Sequence, residues 1–130
     1  MFFSLGQEML RDEDAVLAQR AVKQGVKVVW REFEAMPHCF AMLLENNNGA
    51  PVHYAEFAKF CLDVVEGKKI ETNGVFIKAK TLERSEVDVR SGLTELTDEQ
   101  VEEYMKKGQE RIEAKFRRGQ DPSSEARPML

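Results

Sequence analysis

Two kinds of hydrophobic pattern alternate along the first third of this chain. Phe2-Phe3-Ser4-Leu5 and Val26-Lys27-Val28-Val29-Trp30 are short runs dense in β-formers, and both read as buried strands. Between them Ala15, Val16, Leu17, Ala18, Ala21 and Val22 put apolar residues at the i, i+3 and i+7 positions 15, 18 and 22, which is the helical template. Asp12, Glu13 and Asp14 in its first turn, with Arg20 and Lys23 near its end, suit the helix dipole. Gly6 stops the first strand and Gly25 is placed to end the helix. Strand, helix and strand within about 30 residues is the βαβ unit, which demands a parallel pair and a right-handed crossover.

Beyond the second strand comes a tight Met36-Pro37 turn, then His38 and a short apolar stretch, Cys39 to Leu44, with room for one or two helical turns. Asn46 to Gly49 reads as a loop, and Pro51 as the opening of a new helix. There Tyr54, Phe57, Ala58, Cys61, Leu62 and Val65 recur as a full core face, widened by Phe60 and Val64 and ended by Gly67. The pattern predicts that this helix covers the sheet edge, with Cys61 in the core and His53 solvated on the polar side. Lys68 to Asn73 is loop-like, residues 74–82 fit a short strand or extended arm, and Val87 and Val89 alternate with charged residues. Thr97-Asp98-Glu99-Gln100 is a capping box for a helix over about 98–118. Glu103 with Lys107 and Glu113 with Arg117 stand four apart in the favourable order, and the apolar stripe is thin: Val101, Tyr104, Met105, Ile112 and Phe116. Gln120 to Leu130 has the composition of a fraying tail.

Composition narrows the function classes. A length of 130 residues allows one domain, and 42% apolar with 32% charged residues suits a water-facing globule. A net charge of −4 argues against nucleic acid as a partner. Cys39 and Cys61 match neither a CxxC nor a zinc spacing, and a metal set drawn from His38, Cys39, His53 and Cys61 fits no known pattern. No run approaches the ~20 apolar residues of a membrane span, and Met1 to Leu5 lacks the basic start of a secretory signal. The expected compartment is the cytoplasm. The expected organisation is an α/β part over 1–67, an extension over 68–119 carrying the long amphipathic helix, and a tail over 120–130.

Topology then selects two side chains. In a parallel pair both post-strand turns open on the same edge of the sheet, where open α/β folds place working residues. Glu8 follows the first strand and His38 the second. With strand ends ~5 Å apart across the ladder, a Glu8 oxygen is expected within about 3.5 Å of a His38 ring nitrogen. Asp12 and Glu34 are the alternative acids. The plainer reading of His38 is a loop histidine packed between Met36 and Phe40.

Gly6-Gln7-Glu8-Met9-Leu10-Arg11-Asp12-Glu13, Gly25-Val26-Lys27-Val28 and Phe33-Glu34-Ala35-Met36-Pro37-His38-Cys39-Phe40 together resemble the end of an α/β-hydrolase. The similarity is to the fold-3 group of hormone-sensitive-lipase-like esterases and lipases, and it covers about residues 1–67; the remainder looks like the C-terminal extension of steryl-acetyl hydrolases in that group. The resemblance implies a carboxylic ester hydrolase with His38 as the catalytic histidine and Glu8 as the catalytic acid, where aspartate is commoner. It implies no cofactor and no metal, and a small-molecule ester as the substrate of the intact enzyme.

That family also needs a Gly-x-Ser-x-Gly nucleophile elbow and a His-Gly-Gly oxyanion loop upstream of the acid. Ser4, Ser85, Ser91, Ser123 and Ser124 lie in no such elbow. The expectation is therefore a C-terminal fragment of the hydrolase fold, two parallel strands with a crossover helix and a covering helix, inactive by itself. The alternative is a non-enzymatic interaction module, self-associating through the strand edge beside Phe2 and Phe3, since an unguarded edge recruits other strands.

Overall fold

In the computed structural model, which describes residues 1–44 and 46–119, the chain runs through β1 (Phe2–Gly6), α1 (Arg11–Lys23), β2 (Val29–Phe33), α2 (Phe40–Leu43), α3 (Gly49–Val65), β3 (Asn73–Ile77), β4 (Arg84–Glu86) and α4 (Asp98–Gly119). β1 pairs with β2 in parallel, Phe2 opposite Val29 and Gly6 opposite Phe33. β3 joins the other side of β2, also in parallel, and β4 closes the sheet antiparallel to β3. The result is a mixed α/β structure on a four-stranded, mostly parallel sheet in the order β1-β2-β3-β4. Of the short strand or extended arm expected at 74–82, the strand is what forms, as β3 of the same sheet, and one compact unit extends from Met1 to Glu95. The second strand begins at Val29 rather than Val26, because the Val26 N–H is still occupied by the Ala21 carbonyl in the turn leaving α1.

β2 is buried at all five positions although it carries Arg31 and Glu32. Successive side chains leave a strand on opposite faces, so each charge must find its partner on a different layer. Glu32 takes a two-pronged ion pair from Arg11 at the start of α1, at 3.0 and 3.2 Å. Arg31 reaches Glu56 of α3 at 2.9 Å and Asn73 at 2.7 Å, and Arg84 bonds the other Glu56 oxygen at 2.8 Å. Burial by itself would raise the Glu56 pKa, but the two arginines hold it below the ordinary carboxylate value.

The core divides accordingly. On the α1 face Trp30, Leu5, Ala15, Ala18, Val28, Val89 and Leu93 pack together, as the 15-18-22 pattern implied for the helix. On the other face Phe33, Met36, Phe40, Ala41, Ala50 and Ile77 form a second cluster. The expected core face of α3 is not in either. Tyr54, Phe57, Ala58, Cys61, Leu62 and Val65 are exposed, Val65 to 84%. The helix turns His53, Glu56 and Phe60 toward the sheet instead. A buried Arg31 needs the Glu56 carboxylate, and that need fixes the phase of a helix that is apolar on most sides. Cys61 is consequently exposed rather than core. α3 also starts at Gly49, two residues before Pro51.

A second unit begins at Leu96. Its helix α4 carries the expected capping box: the Gln100 N–H donates to Thr97 Oγ1 at 3.3 Å, and the Thr97 N–H to Gln100 Oε1 at 2.9 Å. Glu103–Lys107 and Glu113–Arg117 pair along it, at 2.5 and 3.8 Å. The tail over 120–130 lies outside the described residues.

Glu32 is 3% exposed, so removing its partner strands a carboxylate in the core. Arg11→Met should cost about 3–5 kcal/mol, read as a lower urea midpoint at pH 7. The double variant Arg11→Met/Glu32→Leu should recover most of it. Equal instability of the single and double variants would show that the ion pair is not what joins α1 to the sheet.

Candidate functional site at the C-terminal rim of the parallel strands

Both post-strand turns open on one rim, and what lets them meet is the end of β1. A Cβ on Gly6 would stand 1.8 Å from the Met36 carbonyl oxygen. Only a residue without a side chain admits the loop after β2 at that distance. The loop is then tied on both sides: the Ala35 N–H donates to Gln7 Oε1 at 3.1 Å, and Glu34 accepts from Lys78 Nζ at 2.9 Å and the Ala79 N–H at 3.0 Å. Ala35 and Cys39, which bracket the Met36-Pro37-His38 turn, both have φ of +54°. Non-glycine residues in that region are costly, and they persist where surrounding contacts fix them.

His38 leaves this turn with Nδ1 3.0 Å from Glu8 Oε1. The separation is the one expected from the parallel topology. Glu8 is 10% exposed and the His38 ring 63%. The carboxylate is held under the ring, while the ring faces outward. An ionised carboxylate only accepts, so Nδ1 carries the proton of this bond, and in a neutral ring Nε2 is then the nitrogen with the free lone pair. Among the described residues no group bonds Nε2. The alternative acids are engaged elsewhere: Asp12 with Arg11 Nη1 at 3.1 Å, and Glu34 with Lys78.

Three neighbours were not foreseen as parts of this site. His53, expected in solvent, is half-buried, and its Nδ1 lies 2.6 Å from Ser4 Oγ. It is ringed by Phe40, Tyr54 and Phe57. Desolvation in that setting lowers its pKa. The Ser4 hydroxyl therefore has a neutral imidazole as its partner. Asp14, on the first turn of α1, has its pKa raised, first by burial and then by the charges of Glu8 and Glu13, against the pull of His38. Ser4, Glu8, Asp14, His38 and His53 line one cavity of about 220 Å³, floored by Leu5, Phe40 and Ala41. Ligand sites usually enclose ~300–1,000 Å³, so this is a partial pocket. His38 also borders a shallow apolar cleft formed with Met9, Leu10, Met36 and Pro37. A cleft of about 380 Å³ lies elsewhere around Arg31, Glu56, Lys59 and Asp63, where the charges neutralise one another.

No group of three or more metal-binding side chains occurs among the described residues. Also among them, no helix is long and apolar enough to cross a membrane. Comparisons with protein-family models, with curated proteins and with solved structures found no match for the chain.

The half-buried imidazole of His53 has a pH signature. Between an ordinary imidazole pKa of about 6.5 and the lower folded value, the unfolded chain binds a proton that the folded chain does not. Stability from this group is therefore complete above that window and declines as pH falls through it. Urea unfolding at pH 7.5 and pH 5.5 should show His53→Gln losing less stability on acidification than the unaltered chain. Identical losses would place His53 in solvent.

Proposed function

We propose that this chain supplies the acid and the histidine of a serine carboxylic ester hydrolase of the esterase/lipase type, with Glu8 and His38 in those roles. The observation that carries this reading is the 3.0 Å contact between Glu8 Oε1 and His38 Nδ1, made at the C-terminal rim of a parallel pair by a ring whose outer side is open. A base in a triad needs a buried carboxylate to fix its tautomer and compensate the imidazolium, and an unbonded nitrogen toward the nucleophile. In support of that reading, Glu8 is nearly covered and bonds one ring nitrogen of His38, and the ring is open on its outer side. The residue likeness to the hormone-sensitive-lipase-like group points the same way, and the cavity beside His38 has the apolar floor an acyl or alcohol group would need.

In the proposed reaction, His38 Nε2 takes the proton from a serine Oγ as that oxygen adds to the ester carbonyl. The same nitrogen returns the proton to the leaving alcohol, and the cycle repeats with water to release the acid. Glu8 stays ionised and holds the ring throughout. The 130-residue sequence contains neither a Gly-x-Ser-x-Gly elbow nor a His-Gly-Gly run, so this chain alone should not turn over p-nitrophenyl acetate above background. A protein extended through the reading frame upstream of Met1, if that frame encodes a Gly-x-Ser-x-Gly elbow, should hydrolyse it. His38→Ala should then abolish turnover, and Glu8→Gln should lower kcat by roughly 10²-fold or more. Turnover by the 130-residue chain that His38→Ala removes would show the inactive assignment to be wrong. Turnover by the extended protein that His38→Ala leaves intact would remove His38 from the mechanism.

A further inference from the structure

We infer that the open edge of β1 and the adjoining flank of α3 form one docking surface for a second copy of this chain, the two β1 strands pairing antiparallel about a twofold axis near Ser4. The inference is independent of the chemistry proposed for Glu8 and His38.

β1 is the terminal strand of its sheet. The Val29 N–H donates to the Met1 carbonyl, and backbone groups alternate along a strand. Phe3 and Leu5 therefore direct their N–H and C=O toward β2, while Phe2 and Ser4 direct theirs to the unpaired side. Such edges are usually guarded by charge or proline. Phe2-Phe3-Ser4-Leu5-Gly6 has neither. A second extended strand would take the place of water on those outward groups, as unguarded edges invite.

The helix above the edge fixes its polarity. Phe2 packs on Phe57 and Phe60 at ring separations of 5.5 and 5.3 Å. With Phe57 over the edge strand, the 3.6-residue period carries Tyr54, Cys61 and Val64 to the same flank. Tyr54, Phe57 and Val64 are 48, 47 and 51% exposed, and Cys61 is exposed too. The partner must therefore bring an uncharged strand edge and an apolar helix flank on the same side of its sheet.

A second copy has both, in the required relation. Antiparallel pairing of two β1 edges about an axis normal to the sheet keeps the two α3 helices on one face, side by side across the axis. Ser4 opposite Ser4 is then a hydrogen-bonded pair, since both present outward groups. Charge favours the same occupant. Glu56 is taken by Arg31 and Arg84, and Asp63 by Lys59 and Lys68, so the neighbouring charges are neutralised within the chain and offer nothing to a strongly acidic or basic partner. Two half-exposed aromatics, Cys61, Val64 and the part-exposed edge from Phe2 to Ser4 offer less than the ~800 Å² per partner of a standard interface, which fits a weak, concentration-dependent dimer.

Sedimentation of the reduced 130-residue chain, from about 1 µM to about 1 mM, should show the mass rising from 14.9 kDa toward twice that value. Cys61→Lys/Val64→Lys, at two exposed positions, should keep the far-ultraviolet circular dichroism and remain monomeric. In the unaltered chain the outward Ser4 amide should exchange at least about tenfold more slowly at high concentration than at low, as a paired amide must. A monomer at every concentration overturns the inference. So does a dimer that survives both lysines with the Ser4 amide unslowed, because the contact is then made by another surface.

Discussion

The parallel pairing of β1 with β2 is the constraint from which the rest follows. A crossover helix must lie between two such strands, and both strands must end at the same rim. The register sets Gly6 opposite Phe33, so the two exits begin level with each other. Met36 then passes directly over the end of β1, where any side chain on Gly6 would collide with its carbonyl. β2 carries the remaining information. Its Glu32 and Arg31 point to opposite faces, and each secures a helix: Arg11 brings the start of α1, and Glu56 sets the phase of α3.

At the rim these constraints yield an asymmetric pair. A covered carboxylate beneath an open imidazole is poorly placed for a stabilising ion pair, because an exposed partner is screened by solvent. It is well placed to orient a ring. The second imidazole has the reverse setting: His53 is enclosed by aromatic rings and meets a hydroxyl rather than a carboxylate. The two histidines of the chain thus sit beside one cavity with opposite electrostatic surroundings. Asp14 adds a carboxylate that burial and its acidic neighbours push toward the protonated form.

What the sequence made legible was local pattern joined to topology. Ala15, Ala18 and Val22 announced the buried face of α1, and Thr97 to Gln100 announced the start of α4. Glu8 and His38 could be brought together because a parallel pair fixes where its exits lie, whatever the side chains between. α3 was misread for a physical reason. Its apolar residues run nearly all round the helix, so periodicity offers more than one core face, and a single buried arginine on another element decides among them. The Ser4–His53 contact was hidden in the same way, since it depends on the parity of one strand and the phase of that helix together. The place of β3 in the sheet rests on its parallel pairing with β2, Val29 opposite Asn73, a long-range match that no local signal carries.

The most direct measurement is the tautomer of His38, read from its ring ¹⁵N shifts at a pH where the imidazole is neutral. A ring held by Glu8 should carry its proton on Nδ1 and leave Nε2 bare, and Glu8→Gln should allow the opposite tautomer to appear. A neutral ring protonated on Nε2 in the unaltered chain, or a tautomer indifferent to Glu8→Gln, would contradict the pairing from which the catalytic roles are argued.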